Sequence, residues 1–185
     1  MTARPPILDR AHLTDAQREV HDRILTGPRG IVEGPLRVWL QSPEMAAQAQ
    51  EFGAFCRYRT RLPPALSELA IIIVGAYWQA GFEWAIHAPT AERAGVSRAT
   101  IEAIRTGREP DHSSEAAEMV WRVSTETLHH HRLSDETWSR AAEVIGVPAL
   151  VDLIAVLGYY TLICMTIRIF QVPLPEGAEN PFPEA

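Results

Sequence analysis

The chain has 185 residues, of which 46% are apolar and 22% charged, and its formal net charge is −6. That length fits one domain, 1–185, with a core of its own, and the composition excludes a disordered chain. The acidic balance lacks the basic footprint of a nucleic-acid binder, so no such partner is expected.

The opening MTARPPILDR has no apolar stretch of the signal-peptide kind, and residues 1–13 read as an N-terminal extension. Thr14-x-x-Gln17 is a capping-box sequence and predicts a helix over Thr14–Leu25. Residues 27–35, GPRGIVEGP, read as a loop. Ser42-Pro43 starts a helix running to about Tyr58, and Leu62-Pro63-Pro64 breaks the chain again. Ala65 to about Tyr77 is an apolar helix. Its Ile71-Ile72-Ile73-Val74 run could be a strand, but a lone strand would have no pairing partner.

After Gly81 a helix is predicted from about Phe82 to Ala94, stopped by Gly95. Ser97 caps the next, which ends near Gly107. Ser113 or Ser114 caps a longer helix that ends in His129-His130-His131, and Ser134 caps another ending at Gly146. Pro148 opens the last helix, to about Phe170, and the proline-rich residues 171–185 read as an extended tail. The expectation is an all-α protein of about eight helices.

Residues 149–167 are almost continuously apolar and approach the length of a membrane span. Asp152 lies inside the run and no second span exists, so a core or subunit-interface helix is expected, without a membrane. Such a helix needs burial on every side, which self-association makes easier. Cys56 and Cys164 stand far apart with no CxxC, which argues against a disulfide framework and for a cytoplasmic chain.

The densest candidate for chemistry is Glu68 with Glu83-Trp84-x-x-His87. Glu83 and His87 are four apart, on one helix face. The helix N-terminus disfavours an imidazolium there while Glu83 favours it, and the sequence leaves that competition open. A histidine near its ordinary pKa of about 6.5 suits proton transfer. Glu68, within an apolar helix, needs a partner if buried. Trp84 and Tyr77 are candidate pocket walls; Tyr58, Tyr159 and Tyr160 read as core or pocket wall. Arg57, Arg59, Arg61 and Arg93 could each grip a carboxylate bidentately, with Arg59 and Arg93 preferred. Consecutive residues on a helix diverge, so His129-His130-His131 cannot jointly bind a metal, and no metal is expected.

Several short motifs occur in a recognisable order: Gly27-Pro28-Arg29-Gly30, Gly34-Pro35, Leu40-Gln41-Ser42-Pro43 and Ser67-Glu68-Leu69-Ala70-Ile71. They are followed by Glu83-Trp84-x-x-His87-x-x-x-Ala91-x-x-Ala94-Gly95, Gly158-Tyr159-Tyr160 and Val172-Pro173-Leu174-Pro175. In this order the chain resembles the carboxymuconolactone decarboxylase / AhpD-like superfamily. The peroxidase branch of that superfamily carries Glu-x11-Cys-x2-Cys-x3-His. Glu68 and His87 fit this frame, but the two cysteine positions are Ala80 and Glu83. Thiol peroxidase chemistry needs both thiols and is not expected.

The resemblance implies a decarboxylase-like, cofactor-free lyase that assembles as a trimer or hexamer. It would act on a small carboxylated lactone, with His87 donating a proton and Glu83 and Glu68 orienting it or relaying the proton. Two other readings stay open on the same scaffold: a non-catalytic oligomeric binding or stress-associated protein, and another acid–base enzyme such as an isomerase or hydratase.

Overall fold

A computed structural model describes residues 4–6 and 8–182; the outer parts of the N-terminal extension (1–3 and 7) and of the tail (183–185) lie outside the described residues. Among the described residues there are nine α-helices, a 3-10 turn at Arg10–His12 and no strand. The helices are α1 (Asp15–Thr26), α2 (Pro35–Trp39), α3 (Pro43–Tyr58), α4 (Pro64–Tyr77), α5 (Gly81–Arg93), α6 (Arg98–Arg105), α7 (Glu115–His130), α8 (Asp135–Val144) and α9 (Val147–Ile169).

The local start signals act as their chemistry dictates. Thr14 and Gln17 form a reciprocal capping box, and the hydroxyls of Ser97, Ser114 and Ser134 accept the backbone N–H three residues on. Ser42 occupies the N-cap of α3 without a side-chain bond, so Pro43 in the first turn carries that signal alone. The short α2 begins at Pro35, the last residue of the expected 27–35 loop, and runs into residues 36–39, to which the sequence assigns no element. Five residues show no helical period, and only Pro35 at its first turn marks it.

Helix α4 sits at the centre, packed between α5, α7 and α9. Its residues Ser67 to Gly75 are all buried, which explains why Ile71–Val74 shows no amphipathic alternation. Each such aliphatic side chain contributes roughly 1.5–3 kcal/mol on burial. Helix α9 is long and apolar enough to cross a bilayer, yet 61% of its most apolar 18-residue stretch is buried. It packs on α2, α3, α4, α5 and α8. The single acid in its apolar run, Asp152, is buried and has a dedicated partner. The Arg61 backbone N–H donates to Asp152 Oδ2 at 2.8 Å, and the Arg61 guanidinium pairs with it at 3.1 Å. This is the way a carboxylate is tolerated inside a core.

The tail folds back on its own chain. Phe182 is buried and meets the Trp84 ring edge-on at 5.3 Å, while the Pro181 carbonyl accepts from Arg105 at 2.8 Å. Leu174 and Asn180 lie so close to Gly81 that a side chain there would force them to shift. The tail therefore clamps the start of α5.

Candidate active site

Helices α4 and α5 form a hairpin through a tight turn, closed by the Ala80 N–H on the Gly75 carbonyl at 2.9 Å. Gln79 takes a left-handed φ of 48° in this turn. The hairpin runs the helices past each other, so Glu68 on α4 faces His87 on α5, and their separation of 19 residues closes to 2.7 Å between Oε2 and Nδ1. The other ring nitrogen, Nε2, pairs with Glu83 Oε1 at 3.0 Å. All three side chains are buried. Tyr160 from α9 packs edge-on against the imidazole with centroids 5.2 Å apart.

A neutral imidazole has one N–H and could satisfy only one of two carboxylates; the imidazolium satisfies both. Burial opposes the charge most strongly. The Glu83 charge and the bonds to Glu68 and Glu83 together outweigh it, and the His87 pKa rises to about 9. The competition that the sequence left open is thus resolved in favour of the charged ring, first by Glu83 and then by Glu68 as a second carboxylate. His87 is an acid held charged at neutral pH, not a group poised near its ordinary pKa.

Glu83 and His87 line a cavity of about 120 Å³. Its other polar lining comes from Arg29, Glu33, Arg57, Tyr58, Tyr159 and Tyr160. Arg29 donates to Tyr159 Oη at 3.0 Å across 130 residues of sequence. The pair fits over α3 because residue 53 is glycine: a Cβ there would collide with Tyr159 Oη and the Arg29 guanidinium.

Of the residues singled out in the sequence, Glu68, Glu83 and His87 come together, whereas Arg59, Arg93, Trp84 and Tyr77 do not line this cavity. Arg59 is exposed over the Phe55 ring, and Arg93 is exposed and bonded to Thr90 at 2.9 Å. Trp84 is buried against Phe182, on the side of α5 away from the acid pair's cavity. Tyr77 stacks edge-on with His129 at 5.0 Å beside a different groove. The cavity's arginines are Arg57, one of the four weighed in the sequence, and Arg29, which was not. Arg29 stands in the Gly27–Gly30 motif, and nothing local to that motif shows that it turns toward Tyr159.

His129, His130 and His131 are exposed, and His131 closes α7 in a left-handed conformation with φ 60°. The cysteines are both free and buried. Burial pushes the Cys56 thiol up to about 11 and the Cys164 thiol well above its usual range, so neither supplies a thiolate at neutral pH. Ala80 and Glu83 occupy the positions a CxxC pair would take.

Residues 43–126 match the family model of the Carboxymuconolactone decarboxylase family. The match is narrower than the 27–175 span over which the motifs run. Likeness of fold covers far more: an AhpD-core, peroxidase-related protein from Ralstonia eutropha aligns with a TM-score of 0.76 at 12% identity, covering 95% of this chain and 94% of that one. A peroxidase-related protein from Silicibacter sp. gives 0.74 at 11% identity over the same shares. The debrominase Bmp8, in complex with 2,3,4-tribromopyrrole, gives 0.71 at 15% identity, again over 95% and 94%. The fold is therefore AhpD-like. No functionally curated protein matches the chain significantly.

Proposed function

We propose that the chain is an acid–base enzyme: a decarboxylase-like lyase that acts on a small carboxylated lactone and moves a proton through the row Glu68–His87–Glu83. The observation that carries this reading is that both ring nitrogens of a buried histidine are held by carboxylates, one of which, Glu83, lines a cavity. Such a row has no structural need to border open space. Loss of CO2 leaves a carbanion, and in an unsaturated lactone the conjugated ring carbonyl takes the electron pair as an enolate. The sink lies in the substrate, so the reaction as proposed calls on no cofactor. The protein's part is to deliver one proton to carbon.

With its nitrogens engaged, His87 passes that proton to the substrate through Glu83, while Glu68 fixes the ring and stabilises its charge. Bmp8 is a debrominase solved with a five-membered planar ring, which fits the idea that this fold accommodates ligands of lactone size. Peroxidase chemistry is not proposed, because positions 80 and 83 hold alanine and glutamate and the two cysteines are buried. We further place the protein in the cytoplasm and expect self-association as a trimer or hexamer.

An ultraviolet progress curve with butenolides bearing a single carboxylate, and with the dicarboxylate carboxymuconolactone beside them, tests the reaction. Wild type should turn over at least one of them at neutral pH, and His87→Ala and Glu83→Gln should each lose about 10²–10⁴-fold. A folded wild type that turns over none would sink the lyase, and equal rates in the variants would remove the proton row from the mechanism.

A further inference from the structure

Three polar groups at the cavity keep donors without a partner among the described residues. Tyr160 is 2% exposed and its hydroxyl has no partner among the described residues. Burial holds that phenol well above its usual pKa, so it remains an O–H donor. Arg29 has committed its Nη2 to Tyr159, but its buried Nε has no partner. Arg57 is half-buried, lies 5.5 Å over the Tyr58 ring, and makes no side-chain hydrogen bond or ion pair among the described residues.

All three are donors, and two of them, the Tyr160 hydroxyl and Arg29 Nε, are buried without a partner, which is rare enough to require an explanation. A bound ligand that completes them must be acceptor-only on that side. A carboxylate is acceptor-only and matches a guanidinium fork in plane. The size limit is also clear. A cavity of about 150 Å³ takes a benzene ring. This one, at about 120 Å³, is smaller, so a five-membered ring with its carboxylate would fill it up to its open side.

The outer wall sets a further limit. Glu33 lines both this cavity and the adjoining groove of about 350 Å³, and its carboxylate has no ion pair among the described residues. Arg37, the cation lining that groove, donates its Nε–H to the Val32 carbonyl at 3.0 Å. A second carboxylate leaving the ring toward the mouth would meet Glu33.

We propose that Arg57, Arg29 and Tyr160 form a carboxylate clamp in the cavity that Glu83 lines, and that Glu33 restricts the ligand to a small planar ring bearing one carboxylate rather than two. This rests on the acid–base reading for what happens to the ligand, but not for whether it binds.

Calorimetric titration with three probes separates the two claims: 2-furoate, its neutral amide 2-furamide, and furan-2,5-dicarboxylate. Wild type should bind 2-furoate and prefer it at least about tenfold over each of the others. Arg57→Gln and Tyr160→Phe should weaken 2-furoate by about ten- to a hundredfold and leave the amide unchanged, since a charge-assisted hydrogen bond is lost. Tyr160→Phe removes one unpartnered oxygen and keeps the packing, so misfolding is not at issue there. Glu33→Gln should raise dicarboxylate affinity toward that of 2-furoate. Equal binding of acid and amide, or 2-furoate binding undiminished in both variants, would overturn the clamp; a dicarboxylate preference unaltered by Glu33→Gln would overturn the restriction. Clamp-dependent binding without turnover of any one-carboxylate butenolide would overturn the acid–base reading and leave the clamp standing.

Discussion

His87 carries the site's electrostatics, and its surroundings make a stability statement as well as a catalytic one. In the unfolded chain the imidazole titrates near its ordinary value, and in the folded protein near 9. Below about 6.5 both states hold the proton. Between 6.5 and 9 only the folded state does, so folding takes up a proton and stability falls as pH rises through that window. The ceiling on the loss is roughly 3 kcal/mol from the difference in pKa. No lysine contributes, since all 17 cations are arginine, whereas the buried thiols of Cys56 and Cys164 add to the fall above about 8.5. Urea midpoints should therefore fall from pH 6.5 to 9.5 in wild type, and His87→Gln should flatten the slope. An equal slope in that variant would place the pH dependence elsewhere.

At the scale of elements, what was legible in the sequence was what is local. Thr14, Ser97, Ser114 and Ser134 cap helices where their spacing says they should, because a cap involves only the next three residues. The Glu68/Glu83/His87 grouping was also legible, since two of its members share a helix face and the third lies one hairpin away. The bonds that span the chain were not. Arg29 reaches Tyr159 only because α9 crosses α3 at Gly53, and Arg61 reaches Asp152 across 91 residues. Single-residue preference therefore favoured Arg59 and Arg93, whose chemistry is right but whose helix faces point to solvent. The tail, which could equally have wrapped a neighbour, lies on its own α5. Phe182 anchors it, and one aromatic in a proline-rich stretch does not disclose where it docks.

For the molecule as a whole, α9 poses the remaining question. Its composition is apolar all round, yet one face stays at the surface. Val147, Val151, Ile154, Gly158, Leu162, Met165 and Ile169 recur at intervals of three and four residues and are exposed, Val151 by 62% and Ile169 by 69%. A stripe of this spacing is the packing seam of a helix against another helix. We propose that it meets a second copy of the chain, in line with the expected trimer or hexamer. Light scattering should give such a mass for wild type, and Leu162→Glu, which puts a charge in mid-stripe, should yield monomers with the helical content retained. A monomeric wild type, or an assembly indifferent to that charge, would remove α9 from the interface.

The most direct test of the account is the charge state of His87 at neutral pH. Long-range proton–nitrogen NMR spectra of wild type and Glu83→Gln, recorded from pH 6 to 10, read it from the two ring nitrogens. The account predicts both nitrogens protonated at pH 7, a midpoint near 9 in wild type and a lower midpoint once Glu83 is neutralised. A neutral ring at pH 7, with one nitrogen bare, would contradict it, because one of the two carboxylates would then face a lone pair and the proton row could not operate as described.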